Sequence, residues 1–406
     1  MSAIKEAART RVVPEHLGGV PLSAEDRRVL DLTEEVCRTH VLPTRAHYDE
    51  TSEFPEDVIA EFGRRGLFRA LFPEEYGGLR LHPMMPVMIS EIIGEYCLSI
   101  GTIYGAGGLL GPSPILWGGT PEQKQRYLPG FASGELLGAF AMTERQAGSD
   151  IAAMQTTAVK RGDRYVINGE KRWISNAGRA DVYCLMAITD PRKDPRAGMS
   201  YFIIEKGTPG LSFGKLENKM GLRCVPNRPV ILEDVEVPEE NLVGGRPNRG
   251  FPLAMRCLGR SRTSLGGLGA GIATGAYNEA VKYTLARRQF KQRVVEFQAV
   301  QHMLADMAVK IESARALTHE AARHVFVCDD AEAPKFSAMA KYYASEIAMQ
   351  VVTDALQLHG GNGFIKDFPV EKMFRDTKVL AIYEGTSQML KSQIAVSLVQ
   401  EAARLR

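Results

Sequence analysis

A glutamate near the C-terminus stands in a suggestive setting: Tyr383-Glu384-Gly385-Thr386-Ser387-Gln388, directly after the apolar Val379-Leu380-Ala381-Ile382. A carboxylate in apolar surroundings has its pKa raised, which suits it to accept a proton from carbon. A solvated loop glutamate would show the same local pattern. A second cluster, Gln357-Leu358-His359-Gly360-Gly361-Asn362-Gly363, reads as a helix end running into a glycine turn, where backbone can approach a ligand. Two further clusters lie mid-chain. Phe140-Ala141-Met142-Thr143-Glu144-Arg145-Gln146-Ala147-Gly148-Ser149-Asp150 is rich in small and hydroxyl residues, and its N–H groups can come close to a polar ring or a phosphate. An ordinary Gly/Ser loop is the plainer alternative. Lys171-Arg172-Trp173-Ile174-Ser175-Asn176 places one of only two tryptophans beside a hydroxyl at a strand end. It is suited to stacking on a planar cofactor, or else to filling a β core.

One glycine run points elsewhere. Gly266-Gly267-Leu268-Gly269-Ala270-Gly271 has the look of a dinucleotide loop, but it lies inside a helical pattern and follows no strand. Small residues permitting close helix packing are the better reading.

The elements that must position these residues fall in three stretches. With 406 residues the chain is long enough for two or three domains. The first third is helical. Ser23 and Asp26 form a capping box ahead of Val29, Leu32 and Val36, and Thr120-Pro121-Glu122-Gln123 is a second helix start. Pro73 to Gly78 reads as a loop. From Thr156 the apolar runs shorten: Tyr165-Val166-Ile167, Val182 to Ala187, Tyr201 to Ile204 and Val230 to Val237 predict the strands of a small antiparallel β domain. Helices return after Phe251. Phe297, Val300, Leu304, Met307, Ile311 and Ala314 mark the core stripe of a bundle helix, and 338–358 is a second long helix. The expected fold is α+β, with an N-terminal helical domain at 1–137, a middle β domain at 138–248 and a C-terminal four-helix bundle at 249–406.

Composition narrows the function classes. Hydrophobic residues make up 45% and charged residues 24%, as in a soluble globular protein. A formal charge of +2 with no basic arm gives no case for nucleic acid. Six cysteines, widely spaced and without a CxxC pair, read as reduced, mostly buried thiols and argue against a structural metal site. Residues 1–11 hold no apolar signal core, and no segment approaches a membrane span, so a cytoplasmic enzyme is expected.

Taken in order, the clusters resemble those of the acyl-CoA dehydrogenase family over essentially the whole chain. The pieces are Pro-Glu-Glu-Tyr-Gly-Gly at 73–78, Met-Thr-Glu at 142–144 with Ala-Gly-Ser-Asp at 147–150, and Trp-Ile-Ser-Asn at 173–176. Arg-Arg-Gln-Phe at 287–290, Phe-Gln at 297–298, Leu-Ala-Asp-Met at 304–307, Gly-Gly-Asn-Gly at 360–363 and Tyr-Glu-Gly-Thr-Ser-Gln at 383–388 follow. Each piece is modest; the ordered set is specific.

The resemblance implies FAD as cofactor, an acyl-CoA substrate, an electron-transfer flavoprotein as partner, and a homotetramer built as a dimer of dimers. It implies Glu384 as the base that takes the α proton. Phe140, Met142, Thr143, Gly148, Ser149, Trp173 and Ser175 would surround the flavin. Arg287, Gln289 and Phe290 would serve the FAD of a neighbouring subunit. Gln357, Gly360 and Gly361 would hold its adenosine diphosphate part, and Thr386 and Gln388 would complete the site. Ser149, Phe251, Arg262, Tyr383 and Gly385 would contact the substrate. Some members take the base from the residue before the arginine matched by Arg262; here that residue is Ser261. Two departures stand out: Arg145-Gln146 in place of Pro-Gly, and Lys291-Gln292 in place of Gly-Lys.

The family's acyl pocket is shaped around residues 90–115, a stretch holding Tyr96, Tyr104, Gly101, Gly105, Gly107, Gly108 and Gly111 here. From Leu81 to Gln123 there is no Lys or Arg, which favours a neutral short, branched or cyclic acyl group over a dicarboxylate. An acyl-CoA oxidase, a flavin monooxygenase or nitroalkane oxidase, a reductase running the reaction backwards and an inactive scaffold of the same fold are the alternatives. Glu384 and Arg262 argue against the monooxygenase. The intact set Thr143, Trp173, Arg287, Gln357 and Glu384 argues against the scaffold.

Overall fold

A computed structural model describes residues 16–17 and 19–404. The reading of residues 1–11 lies outside them. The contacts divide the chain into two compact units, each discontinuous in sequence. One comprises 1–46, 81–98 and 262–406; the other comprises 47–80 and 99–261. The stretch expected as the N-terminal domain, 1–137, thus contributes to both.

The first unit is helical. Its major helices are α1 (Ala24–Val36), α2 (Met85–Tyr96), the later part of α3 (Gly250–Ala286), α4 (Gln298–Ala322), α5 (Ala333–His359) and α6 (Ser387–Arg404). α1 starts at the predicted capping box, with the Asp26 N–H donating to Ser23 Oγ at 3.0 Å and the Ser23 N–H to Asp26 Oδ2 at 2.7 Å. Along α4, Leu304, Met307, Ile311 and Ala314 are buried, while Phe297 and Val300 at its start are half-buried. The period of three and four residues therefore marks the buried face over the helix body.

The glycine run lies within α3 and works as helix packing. A Cβ on Gly267, Gly271 or Gly275 would stand 2.6, 2.1 and 2.2 Å from the carbonyl oxygens of Val87, Glu91 and Glu95 on α2. Residues four apart on one helix thus meet carbonyls four apart on the other, and only hydrogen fits between. Gly271→Val is expected to destabilise this unit by about 3 kcal/mol through overpacking, read as a lower urea midpoint; an unchanged midpoint would refute the close approach.

The second unit is built on a seven-stranded sheet: β1 (Gly138–Ala141), β2 (Thr157–Arg161), β3 (Arg164–Ser175), β4 (Val182–Ile188), β5 (Met199–Glu205), β6 (Leu211–Phe213) and β7 (Asn227–Pro238). The pairs β2–β3, β3–β7, β4–β5 and β6–β7 are antiparallel, as expected. The sheet is nevertheless mixed: β1 runs parallel to β4, Gly138 facing Val182 and Ala141 facing Leu185. Thr157 at the start of β2 also meets Ile188 of β4 in parallel; side-chain alternation carries no strand direction, so the antiparallel expectation needed correction at both places. The core is apolar, with the Tyr165 and Phe202 rings 4.9 Å apart and Ile167, Leu185, Val230 and Val235 fully buried around them. Thr120 and Gln123 form the second predicted capping box, and the Gln123 amide also donates to the carbonyls of Glu240 and Leu242.

Five cysteines are buried and Cys328 is exposed; among the described residues no two are joined in a disulfide. Among the described residues no helix is long and apolar enough to cross a membrane.

Candidate active site

In the sheet unit, β1 leads into the Met142–Asp150 loop. Met142 is buried, Phe140 and Thr143 are half-buried, and Gly148 and Ser149 are exposed. The loop is pinned from below by a buried ion pair. Lys171 Nζ donates to Glu144 Oε1 at 2.8 Å and to the Met142 carbonyl at 3.2 Å, and Glu144 also accepts the N–H groups of Gln155 and Thr156. Burial alone would raise the Glu144 carboxyl, but the Lys171 charge and these hydrogen bonds outweigh it and hold it below its ordinary value. Burial lowers the Lys171 ammonium to about 8, with Glu144 opposing the shift. The Arg145-Gln146 departure is accommodated above this pair. Glu144 and Ala147 exchange N–H···O bonds of 3.2 Å in both directions, so the tight turn closes without Pro-Gly.

Opposite the loop, β3 carries a bulge. Lys171 faces Val230 and Ile174 faces Arg228, so three steps on β3 match two on β7. The extra residue re-aims the strand. Trp173 takes a left-handed φ of +56° and turns a 53% exposed indole outward. For a bulky residue that backbone costs on the order of 1 kcal/mol. It is held by the Asn227 amide, which donates to the Trp173 carbonyl at 3.2 Å, and by the Arg172 N–H, which donates to the Thr143 carbonyl at 2.8 Å. The loop threonine and the exposed indole are thus stitched together through adjacent backbone. Ser175, two residues further along β3, is half-buried and faces Asn227 on β7. Phe251 lies under the Arg196 guanidinium at 5.5 Å.

In the helical unit, Glu384 sits in a left-handed turn, with φ +52° followed by +98° at Gly385. A Cβ on Gly385 would stand 3.1 Å from Arg262 Nη2. Arg262 is buried on α3, and its Nε donates to the Glu384 carbonyl at 2.9 Å and its Nη1 to Gln393 Oε1 at 3.0 Å. Burial lowers the guanidinium from its ordinary value, against a raising contribution from Glu384. Arg262, expected at the substrate, spends these two donors on the Glu384 backbone and on α6. Thr386 Oγ1 accepts the Met389 N–H at the start of α6, Tyr383 is half-buried, and Gln388 is exposed.

Two further groups are joined through Tyr283. Its carbonyl accepts the Arg287 N–H at 2.8 Å, and its hydroxyl accepts from the Asn362 amide at 2.9 Å. After Arg287 comes a hairpin, Arg288–Gln289 paired with Gln292–Arg293, whose tip residues Phe290 and Lys291 have φ of +50° and +66°. The Lys291 departure therefore falls where glycine would be unstrained. Phe290 is 88% exposed at the tip. Gln357 is exposed at the end of α5; its carbonyl accepts the Gly360 N–H, and Gly360 and Gly361 both face open space.

The residues around the expected acyl pocket are partly committed to packing. A Cβ on Gly107 would stand 2.2 Å from Leu137 Cδ1, and one on Gly108 2.6 Å from Phe68 Cδ1, whereas Gly105 has open space beside it. The Tyr104 hydroxyl donates to the Leu67 carbonyl at 2.9 Å, and that of Tyr96 bonds Glu34.

The Lys171–Glu144 pair and Asn227 escaped sequence reasoning. A lysine and a glutamate in different elements carry no periodic signal. A charged residue inside an otherwise β-patterned run was the one available hint, since a buried charge calls for a partner.

Comparison with known proteins is consistent along the chain. Family models for the acyl-CoA dehydrogenase N-terminal, middle and C-terminal domains match residues 23–135, 139–235 and 248–399. A short-chain-specific acyl-CoA dehydrogenase of Clostridium acetobutylicum is 42% identical over 92% of this chain and 98% of its own. A cyclohex-1-ene-1-carbonyl-CoA dehydrogenase of Geobacter metallireducens is also 42% identical, over 91% and 97%. The crystal structure of an acyl-CoA dehydrogenase complexed with FAD from Bacillus anthracis superposes with a TM-score of 0.86 at 33% identity, covering 94% of this chain and 68% of that one. On sequence and fold alike, the chain belongs to the acyl-CoA dehydrogenase family.

Proposed function

We propose that this enzyme desaturates a neutral acyl-CoA thioester between its α and β carbons, with Glu384 as base and FAD as cofactor. The observation that carries the reading is Glu384 itself: half-buried, in a left-handed turn, its carbonyl held by a buried arginine, with Ser261 at the alternative base position. The residues present fit a flavin ring. The bulge at Trp173 spends backbone strain to expose an indole face beside the Thr143 loop, an arrangement well suited to a planar polar ring. Met142, Thr143, Gly148, Ser149, Trp173 and Ser175, with Phe140 behind them, hold the ring. Arg287, Gln289, Phe290, Gln357, Gly360 and Gly361 hold the nucleotide part across the subunits of a homotetramer, and Thr386 and Gln388 complete the contacts. When bound, FAD supplies the hydride acceptor and the redox chemistry.

The protein's own part is proton transfer and placement. The hydrogens beside a thioester carbonyl are weak acids, and their acidity rises when the carbonyl oxygen accepts hydrogen bonds. The Glu384 N–H donates one such bond while the Glu384 carboxylate takes the α proton. Tyr383, Gly385, Ser149, Phe251 and Arg262 frame the substrate. The lack of any lysine or arginine from Leu81 to Gln123 supports a neutral short, branched or cyclic acyl group. Electrons leave to an electron-transfer flavoprotein.

An anaerobic absorbance titration of the holoenzyme tests the reading, with thioesters from butyryl through branched and cyclic to long-chain and glutaryl. Bleaching of the flavin band by a short or cyclic thioester is the expected outcome. No bleaching by any thioester would overturn the activity, and preference for glutaryl-CoA would overturn the substrate class.

A further inference from the structure

The turn that carries Glu384 is held by more than Arg262. Lys341, on α5, has no exposed surface, and its Nζ donates to the Gly385 carbonyl at 2.7 Å. The carbonyls of Glu384 and Gly385 thus each accept from a different buried cation, one on α3 and one on α5. Around them α5 presents two further side chains to the same segment. Ser345, one turn on from Lys341, donates its hydroxyl to the Leu380 carbonyl at 3.0 Å, and Glu346 accepts the Ser387 hydroxyl at 2.6 Å. The flanks at 380 and 387 are tied down by neutral or anionic groups. The two charged donors fall on Glu384 itself and on the residue that follows it.

A buried ammonium is a costly way to fill space; a methionine packs the same volume without desolvating a charge. What the ammonium adds is a strong, charge-assisted bond to a carbonyl in a strained turn, where the left-handed φ of Glu384 must be held from outside. We propose that Lys341 is a positioning residue: its ammonium holds the Gly385 carbonyl, and with it the left-handed turn that sets where the Glu384 carboxylate stands. The inference rests on Glu384 being the base, as proposed above. The charged groups facing Lys341 are Glu384 and Glu346, which favour its charge, and Arg262, which opposes it; burial outweighs them and brings the ammonium to about 8. Above that pH the charge, and the charge-assisted part of the bond, is lost.

The test compares the wild-type holoenzyme with Lys341→Met, Lys341→Arg and Glu384→Gln. Lys341→Met should keep its flavin and lose about tenfold or more in kcat, with KM for the thioester within about twofold, because alignment rather than binding is lost. Lys341→Arg should recover most of kcat. Wild-type kcat should fall above about pH 8, and that fall should move to higher pH in Lys341→Arg, whose charge persists. Lys341→Met turning over within about twofold of wild type would overturn the proposal. Should Lys341→Met fail to yield holoenzyme, the other two proteins decide it: a wild-type profile with no alkaline fall, unchanged in Lys341→Arg, overturns it as well. If Glu384→Gln is inactive while Lys341→Met is unaffected, the positioning role fails and the base stands. If Glu384→Gln turns over normally, the base is wrong and the positioning role falls with it.

Discussion

Glu384→Gln should lose at least about a thousandfold in the rate at which an acyl-CoA thioester bleaches the flavin, while FAD and thioester stay bound. The amide nearly matches the carboxylate in size. The left-handed backbone is set by carbonyl bonds from outside the side chain, chiefly the 2.9 Å bond from Arg262 Nε to the Glu384 carbonyl, and these do not depend on the acid. What disappears is the proton acceptor that the proposed function assigns to Glu384. Positioned bases contribute about a hundredfold to ten-thousandfold, and Ser261 offers no substitute carboxylate at the alternative position. Stopped-flow absorbance under anaerobic conditions, with thioester binding followed by the perturbation of the flavin spectrum, separates binding from chemistry. Loss of binding along with rate would point to a structural glutamate, and a rate within about tenfold of wild type would place the base elsewhere.

The second large effect concerns stability. Lys171→Met should destabilise the sheet unit by about 3–5 kcal/mol, because it strands the Glu144 carboxylate in a site with almost no solvent access. Glu144 also receives the N–H groups of Gln155 and Thr156, so the Met142–Asp150 loop loosens and flavin retention falls with it. The double variant Glu144→Gln/Lys171→Met removes both charges and should regain much of the loss, since a neutral pair leaves no buried charge behind. Thermal melting of the three proteins at neutral pH reads the difference. A Lys171→Met midpoint equal to wild type would refute the buried-pair account.

The pair also sets a pH dependence whose sign follows from the two shifts. The Glu144 carboxyl lies below its ordinary 4.5 in the folded state, so its contribution is fully present above that value and is lost as pH falls through the folded value. Lys171 acts in the same direction in a higher window: with a folded value near 8 against an ordinary 10.5, the unfolded chain binds more protons between them, and this group too makes stability rise with pH there.

Much of this protein is written in residues close together in the chain. The capping boxes at Ser23 and Thr120, the buried period of α4 and the strands around Val166, Leu185, Ile203 and Val235 follow from neighbours within a few positions. The packing role of Gly267 and Gly271 was legible because no strand precedes them. The ordered clusters around Thr143, Trp173 and Glu384 were legible as a family pattern for the same reason: each is a short contiguous stretch.

Tertiary structure alone decided the rest. The parallel pairing of β1 with β4 joins strands 44 residues apart at Gly138 and Val182, and alternation cannot report direction. The outward turn of Trp173 depends on register against β7, and the partners of Lys171, Arg262 and Lys341 lie 27, 122 and 44 residues away. The sequence by itself determined which local elements form and which residues are chemically able to act. Where a buried charge finds its partner, and so how the Glu384 turn is held, depends on chain folded back from far away, because a cation in the interior is stable only where another element supplies the acceptor.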